Sequence, residues 1–264
     1  MAIRISAELS HICPLEEIRT HATALETFGF YRVWVPDTIV SQWEAWLAAS
    51  VIMHTTARLK IGLGVMNPYT RHPVVVAQMA ATMQRLSGGR LSLSIGSGIE
   101  RFLNKAGVER HDTAVEECVT LLRELMTGRR TSFSGKAYRI DGMRLRTHPP
   151  EKTVPIFQAA VGPAGWESAV KNADGVATLW NDAIGETRRK WMARKVLPTV
   201  VLIPFAQART DFFSRPVNSV DELQARVVSL ESDGFDEVMV AYAEMTDLEA
   251  AGRVLIEGRK HGGL

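Results

Sequence analysis

The chain has 264 residues, 46% hydrophobic and 23% charged, which suits one large globular enzyme core. Its 31 Lys+Arg against 29 Asp+Glu leave a formal charge of +2, so composition gives no reason to expect nucleic acid or a membrane surface as partner. Two cysteines, Cys13 and Cys118, lie far apart and outside any metal-ligand spacing, which argues against a disulfide framework and for a reducing cytoplasm. The sequence from Ile3-Arg4-Ile5 onward shows neither a secretory h-region nor an apolar run long enough to span a bilayer, so a cytoplasmic protein is expected.

The apolar run 2–9 predicts a first strand. Pro14, Glu16 and Glu17 suit a helix start, Ile18, Ala22, Leu25 and Phe28 share one face, and Gly29 closes the helix. Strands at 31–35, 59–64 and 90–95 alternate with helices at 43–53, 73–86 and 112–126. Turn residues between β-formers in 131–146 predict a small inserted hairpin. Strands at 154–160, 175–179, 199–204 and 237–241 then alternate with helices at 166–173, 186–196, 220–232 and 248–259.

Strict alternation of eight strands with eight helices implies a parallel sheet with right-handed crossovers, closed into a barrel. No linker or low-complexity stretch divides the chain, so residues 1–264 are expected to form one α/β domain, a (β/α)8 barrel. The open doubly wound sheet is the competing arrangement.

In such a barrel the chemistry belongs on the loops after the strands. Those loops carry Glu8 and His11, then Asp37 and Thr38, then 64–73, then Gly96, Ser97 and Gly98, then 162–166, then Trp180, Asn181 and Asp182. Glu8 reads either as a solvated turn residue or as a site acid, and Asp37 either as a helix cap or as a site residue. Gly162-Pro163-Ala164-Gly165 exposes backbone N–H groups at a helix start and suits an anion. The Gly96-Ser97-Gly98 pair of glycines lacks the third glycine of a dinucleotide fingerprint, since position 101 is Arg. The seven histidines show no helical pairing and no Cys partner, so no metal site is expected.

Three stretches carry a family resemblance. The run 59–73, above all Gly64-Val65-Met66-Asn67-Pro68-Tyr69-Thr70-Arg71-His72-Pro73, resembles the corresponding loop in the coenzyme F420-dependent branch of the bacterial-luciferase-like superfamily, to which methylenetetrahydromethanopterin reductase belongs. The stretch 86–98 is similar to the superfamily's fourth-strand signature, and 154–176 to its phosphate-loop region. The likeness spans about residues 3–182.

This resemblance implies a TIM barrel holding a deazaflavin, with FMN as the alternative cofactor, for hydride transfer to or from a small organic substrate. It implies a cis peptide between Gly64 and Val65 behind the cofactor ring, with Asn67, Gly96, Ser97, Gly98 and Trp180 also at the cofactor. Ala160, Val161, Gly162, Pro163 and Ala164 are then expected to hold its phosphate. Glu8 and Asp37 become the catalytic candidates, Glu8 through a carboxyl whose pKa burial raises.

Departures from the relatives are Thr38 where a His is frequent, Ile99 beside Glu100 where an acid is usual, and a shortened region before the eighth strand, which is expected either to open the rim or to leave part of the lid to a partner subunit. An FMN-dependent monooxygenase and a non-catalytic flavin-binding subunit are the other readings. A homodimer follows by analogy; Trp43, Trp46 and Leu47 either serve it or pack on the barrel.

Overall fold

In a computed structural model, which describes residues 2–206 and 216–257, the apolar runs form the predicted strands. The first half contains β1 (Arg4–Glu8), α1 (Ile18–Phe28), β2 (Arg32–Val35), α2 (Ala45–Thr55), β3 (Lys60–Met66), α3 (Pro73–Leu86) and β4 (Leu91–Ile95). Two helices follow, α4 (Glu100–Lys105) and α5 (Ala114–Leu125), and then the hairpin of β5 (Thr131–Ser134) and β6 (Arg139–Met143). The second half contains β7 (Ile156–Ala159), α6 (Pro163–Asn172), β8 (Gly175–Leu179), α7 (Ile184–Met192), β9 (Thr199–Pro204), α8 (Val220–Ser232), β10 (Glu237–Ala241) and α9 (Met245–Gly252). All strands but β5 and β6 close into a parallel barrel in the order β1-β10-β9-β8-β7-β4-β3-β2. The open sheet is thereby excluded.

Local chemistry sets the ends. Gly29 takes φ 91° and its N–H bonds back to Leu25 and Glu26, which ends α1. Pro73 starts α3, where the His72 side chain accepts from the Val74 N–H, and the Ser219 side chain caps α8 by accepting from Glu222.

Most elements shift by a residue or two, the helix expected at 186–196 runs over Ile184–Met192, and three further differences have a local cause. Helix α4 was not foreseen, because one turn and a half burying only Leu103 leaves no periodic signal. Helix α6 starts three residues early, at Pro163, since proline fits the first helical position. Helix α9 starts at Met245, where Glu244 and Asp247 form a capping box, and runs into a π turn at Arg253–Glu257. The predicted end of that helix at 259, and 207–215 within the shortened region, lie outside the described residues.

Trp34, Phe157, Ala177, Val200, Leu202, Met239 and Ala241 form a cluster inside the barrel, separate from the larger core between barrel and helices. The indole of Trp34 meets Phe157 edge-on at 5.7 Å. Below them a charge is buried. The Glu237 carboxylate accepts from Ser6 Oγ at 2.6 Å and from Trp34 Nε1 at 3.0 Å, and pairs with Arg32 at 3.3 Å. The Arg32 guanidinium is stacked against Tyr31, Trp34 and Phe157. Removing one member of such a group strands the others. Glu237→Ala is expected to cost about 3–5 kcal/mol of unfolding free energy in urea denaturation; a loss under about 1 kcal/mol would mean that the network is not what closes the barrel.

Candidate active site at the strand carboxyl ends

Side chains alternate along each strand, so the inward-facing Ser6 places Glu8 inward as well, one step nearer the mouth. At the carboxyl ends of β3, β4 and β7 the lining residues are small. A Cβ on Gly96 would lie 2.5 Å from Val65 Cγ1 and 2.8 Å from Ala159 Cβ. At Gly64, with φ 153°, it would lie 2.5 Å from Ser94 Cβ and 2.7 Å from the Ser94 carbonyl oxygen. Only glycine lets these backbones approach so closely. The Gly64–Val65 peptide is cis, and the β3–β4 register breaks between Leu63 and Met66. Val65 is left 40% exposed, an apolar side chain on the open side of this floor.

Glu8 is half-buried at the carboxyl end of β1. Burial, with no hydrogen bond or charge to offset it among the described residues, pushes its pKa up to about 7. Its carboxyl is thus divided between acid and base near neutral pH, the condition for moving protons in either direction.

One side of the rim is tied together by side chains. Arg71, after β3, bonds Asp37, after β2, at 2.6 Å and Glu44, at the start of α2, at 2.5 Å. Burial raises the Asp37 pKa despite the Arg71 guanidinium, and Glu44 adds to the rise. The Asn67 side-chain oxygen accepts from the N–H groups of Tyr69 and Thr70, both at 3.0 Å, which folds the loop on itself. The loops after β1 and β2 are joined where Trp43 Nε1 donates to the Cys13 carbonyl at 3.1 Å and Gln42 Nε2 to that of Ile12 at 3.2 Å.

The opposite side is built from backbone. Gly98, with φ 65°, lies against Asn67, and Ser97 beside it is exposed. Gly162 precedes α6, whose first turn has no side-chain cap, and a Cβ on Gly162 would meet nothing within 4 Å. The N–H groups of Gly162, Ala164 and Gly165 therefore lie at an open helix start, beside Pro163 and the 68% exposed Val161.

The structure thus brings Glu8, Gly64, Val65, Asn67, Gly96, Ser97 and Gly98 to one rim, with Asp37 held at its edge by Arg71 and 161–164 across from it. Two of the residues singled out from sequence are not with them. Ala160 and Trp180 follow inward-facing Ala159 and Leu179 by one position, so both turn outward into the helix layer. There Arg226 of α8 stacks 3.5 Å above the Trp180 ring, beside a cavity of about 310 Å³ between α7 and α8. Sequence reading missed Arg71 as the hub for two carboxylates and Ala159 as part of the floor; a loop arginine and a strand alanine carry no local signal of either.

Fold and rim define a (β/α)8 barrel with its reactive groups gathered at the strand carboxyl ends. The chain belongs to the luciferase-like monooxygenase family, whose model matches residues 1–195. It is 34% identical over 192 residues to the F420-dependent hydroxymycolic acid dehydrogenase of Mycobacterium tuberculosis, covering 65% of this chain and 51% of that one. It is 28% identical over 165 residues to the 5,10-methylenetetrahydromethanopterin reductase of Methanolobus tindarius, covering 62% of this chain and 50% of that one. Its alignments thus span about half the length of these curated relatives. The fold superposes with a TM-score of 0.84 on the coenzyme F420-dependent tetrahydromethanopterin reductase of Methanopyrus kandleri, covering 99% of each chain at 17% identity.

The Glu8 environment makes a stability prediction. From pH 4.5, its ordinary value, up to about 7, the folded state keeps a proton that the unfolded chain releases. Folding therefore loses stability as pH rises through this window, by about 3 kcal/mol in all. Glu8→Gln is expected to match the wild type near pH 4 and to exceed it in stability at pH 8, measured by urea denaturation. An equal stability difference at both pH values would contradict this.

Proposed function

We propose that residues 1–264 form one catalytic domain, an F420-dependent oxidoreductase that moves a hydride between the deazaflavin and a small organic substrate. The observation that carries this reading is the close-packed backbone at Gly64, Val65 and Gly96 on the same rim as Glu8, whose pKa burial raises to about 7. The F420-dependent relatives support the choice of cofactor.

The residues fit such a group. At Gly96 and Gly64 the backbones pack directly against Val65, Ala159 and Ser94, which leaves Val65 as the exposed side chain against which a planar ring would lie. The open amides of Gly162, Ala164 and Gly165 would take a phosphate. Deazaflavin, when bound, supplies the carbon that gives or takes the hydride. The chain does the rest. Val65 and the floor exclude water below the ring, the Asp37–Arg71–Glu44 group holds the neighbouring loops in place, and the Glu8 carboxyl gives or takes the proton that accompanies oxidation or reduction of the substrate. Arg71 meets two carboxylates and brings no uncompensated positive charge to that side of the rim.

We also infer a homodimer. Trp43 and Trp46 are buried in the core and cannot supply its surface, whereas Leu47, 69% exposed on α2, is free to do so. Both cysteines are free and buried, which suits a reducing cytoplasm. Among the described residues no helix is long and apolar enough to cross a membrane.

Fluorescence titration with F420 and separately with FMN tests the cofactor, and the Glu8→Gln variant tests the proton carrier. F420 is expected to bind at least about tenfold more tightly than FMN. Glu8→Gln should keep that affinity within about twofold while turnover falls by about 10²–10⁴. Preference for FMN would favour the oxygen chemistry of the family's monooxygenases, and full turnover by Glu8→Gln would remove Glu8 from the mechanism.

A further inference from the structure

The hairpin inserted between α5 and β7 takes no part in the barrel sheet, yet its tip is fixed in two directions. On one side it is held to α5. The Glu117 carboxylate accepts from the N–H groups of Lys136, Ala137 and Tyr138 at 2.8, 3.0 and 3.0 Å. A Cβ on Gly135 would lie 2.1 Å from a Glu117 oxygen, so the turn closes on the carboxylate only with glycine there. On the other side it reaches the loop that follows β3. The Tyr138 hydroxyl donates to the Pro68 carbonyl, and the Tyr138 ring stands edge-on to His72 at 5.5 Å.

That loop starts from the floor itself: Gly64 and Val65 lie in β3, and 67–72 follow at once. Its inner side is held by the Asn67 side chain and by Arg71 on Asp37 and Glu44. Its outer side has Tyr138. A loop gripped on both sides has little freedom to lose when a ligand settles against it, and that saving appears as affinity. Burial raises the Tyr138 pKa and so keeps its phenol a proton donor across the physiological range.

We propose that the β5–β6 hairpin is a strap and Tyr138 a positioning residue, which fixes the 67–72 loop from outside and thereby holds the Gly64–Val65 floor in shape for the cofactor ring. The proposal rests on the reading of that floor as the cofactor seat. Tyr138→Phe keeps the ring and its packing on His72 and removes only the hydroxyl. Two readouts are needed, amide hydrogen exchange of the apo protein and F420 affinity by fluorescence titration. Exchange is expected to quicken in 67–72 and at the hairpin tip and nowhere else. The F420 dissociation constant is expected to rise about fivefold, the size of one neutral hydrogen bond, with a melting temperature within about 2 °C of the wild type.

If Tyr138→Phe lowers overall stability, Glu117→Gln, which loosens the tip from α5 without altering the Tyr138 side chain, must give the same selective change. Unchanged exchange in 67–72, or faster exchange with unchanged affinity, would overturn the assignment. Exchange is read without cofactor. A wild type that binds neither F420 nor FMN would therefore overturn the reading of the seat, while exchange alone still decides whether the strap holds the loop.

Discussion

A ring of eight parallel strands encloses a volume that its own side chains must fill, and how they fill it decides where an opening is left. In the lower half, Trp34 and Phe157 fill the width of the barrel and Glu237 is shared by Ser6, Trp34 and Arg32. A buried carboxylate is costly to desolvate, and here three neighbours from two strands offset that cost by converging on it. Towards the carboxyl ends the filling changes: Gly64, Gly96 and Ala159 contribute almost no side chain and their backbones pack closely. Glu8 follows from the same geometry. It is the next inward position above Ser6 on β1, lifted out of the polar network and into a place where no group among the described residues stabilises its charge.

The rim divides into two kinds of construction. After β1, β2 and β3 the loops are joined by side chains: Trp43 to Cys13, Gln42 to Ile12, Arg71 to Asp37 and Glu44, and from outside Tyr138 to Pro68. Around Gly162 the helix start has no side-chain cap and presents amides to whatever approaches. A wall held by its own bonds suits orientation of a rigid ring. A turn of open donors suits an anion, which supplies the missing acceptors when it arrives.

Most of the barrel was legible in the residues because its signals are local. Alternating apolar runs, Gly29 after α1, Pro73 at the start of α3 and the turn residues of the hairpin each mark their element without tertiary help. What was not legible depends on which way a side chain turns. Ala160 and Trp180 sit beside the right strand ends, but one position too far to face the mouth. Glu237 at a strand start reads as solvent-facing until the barrel closes around it. Trp43 and Trp46 read equally as core or interface in sequence and are core in the fold. The cis bond at Gly64–Val65 and the importance of Glu8 came from likeness to a family; the packing at Gly64 and the isolation of Glu8 supply physical grounds for looking there.

The proposed hydride transfer requires one cofactor seat made by Gly64, Val65, Gly96, Glu8 and the Gly162 amides. A crystal structure of the chain with oxidised F420 tests this most directly. The deazaflavin ring is expected over Gly64, Val65 and Gly96, with Glu8 at its edge and the phosphate on the amides of Gly162 and Ala164. A ring bound in the groove between α7 and α8 beside Trp180, with the floor left open, would contradict it.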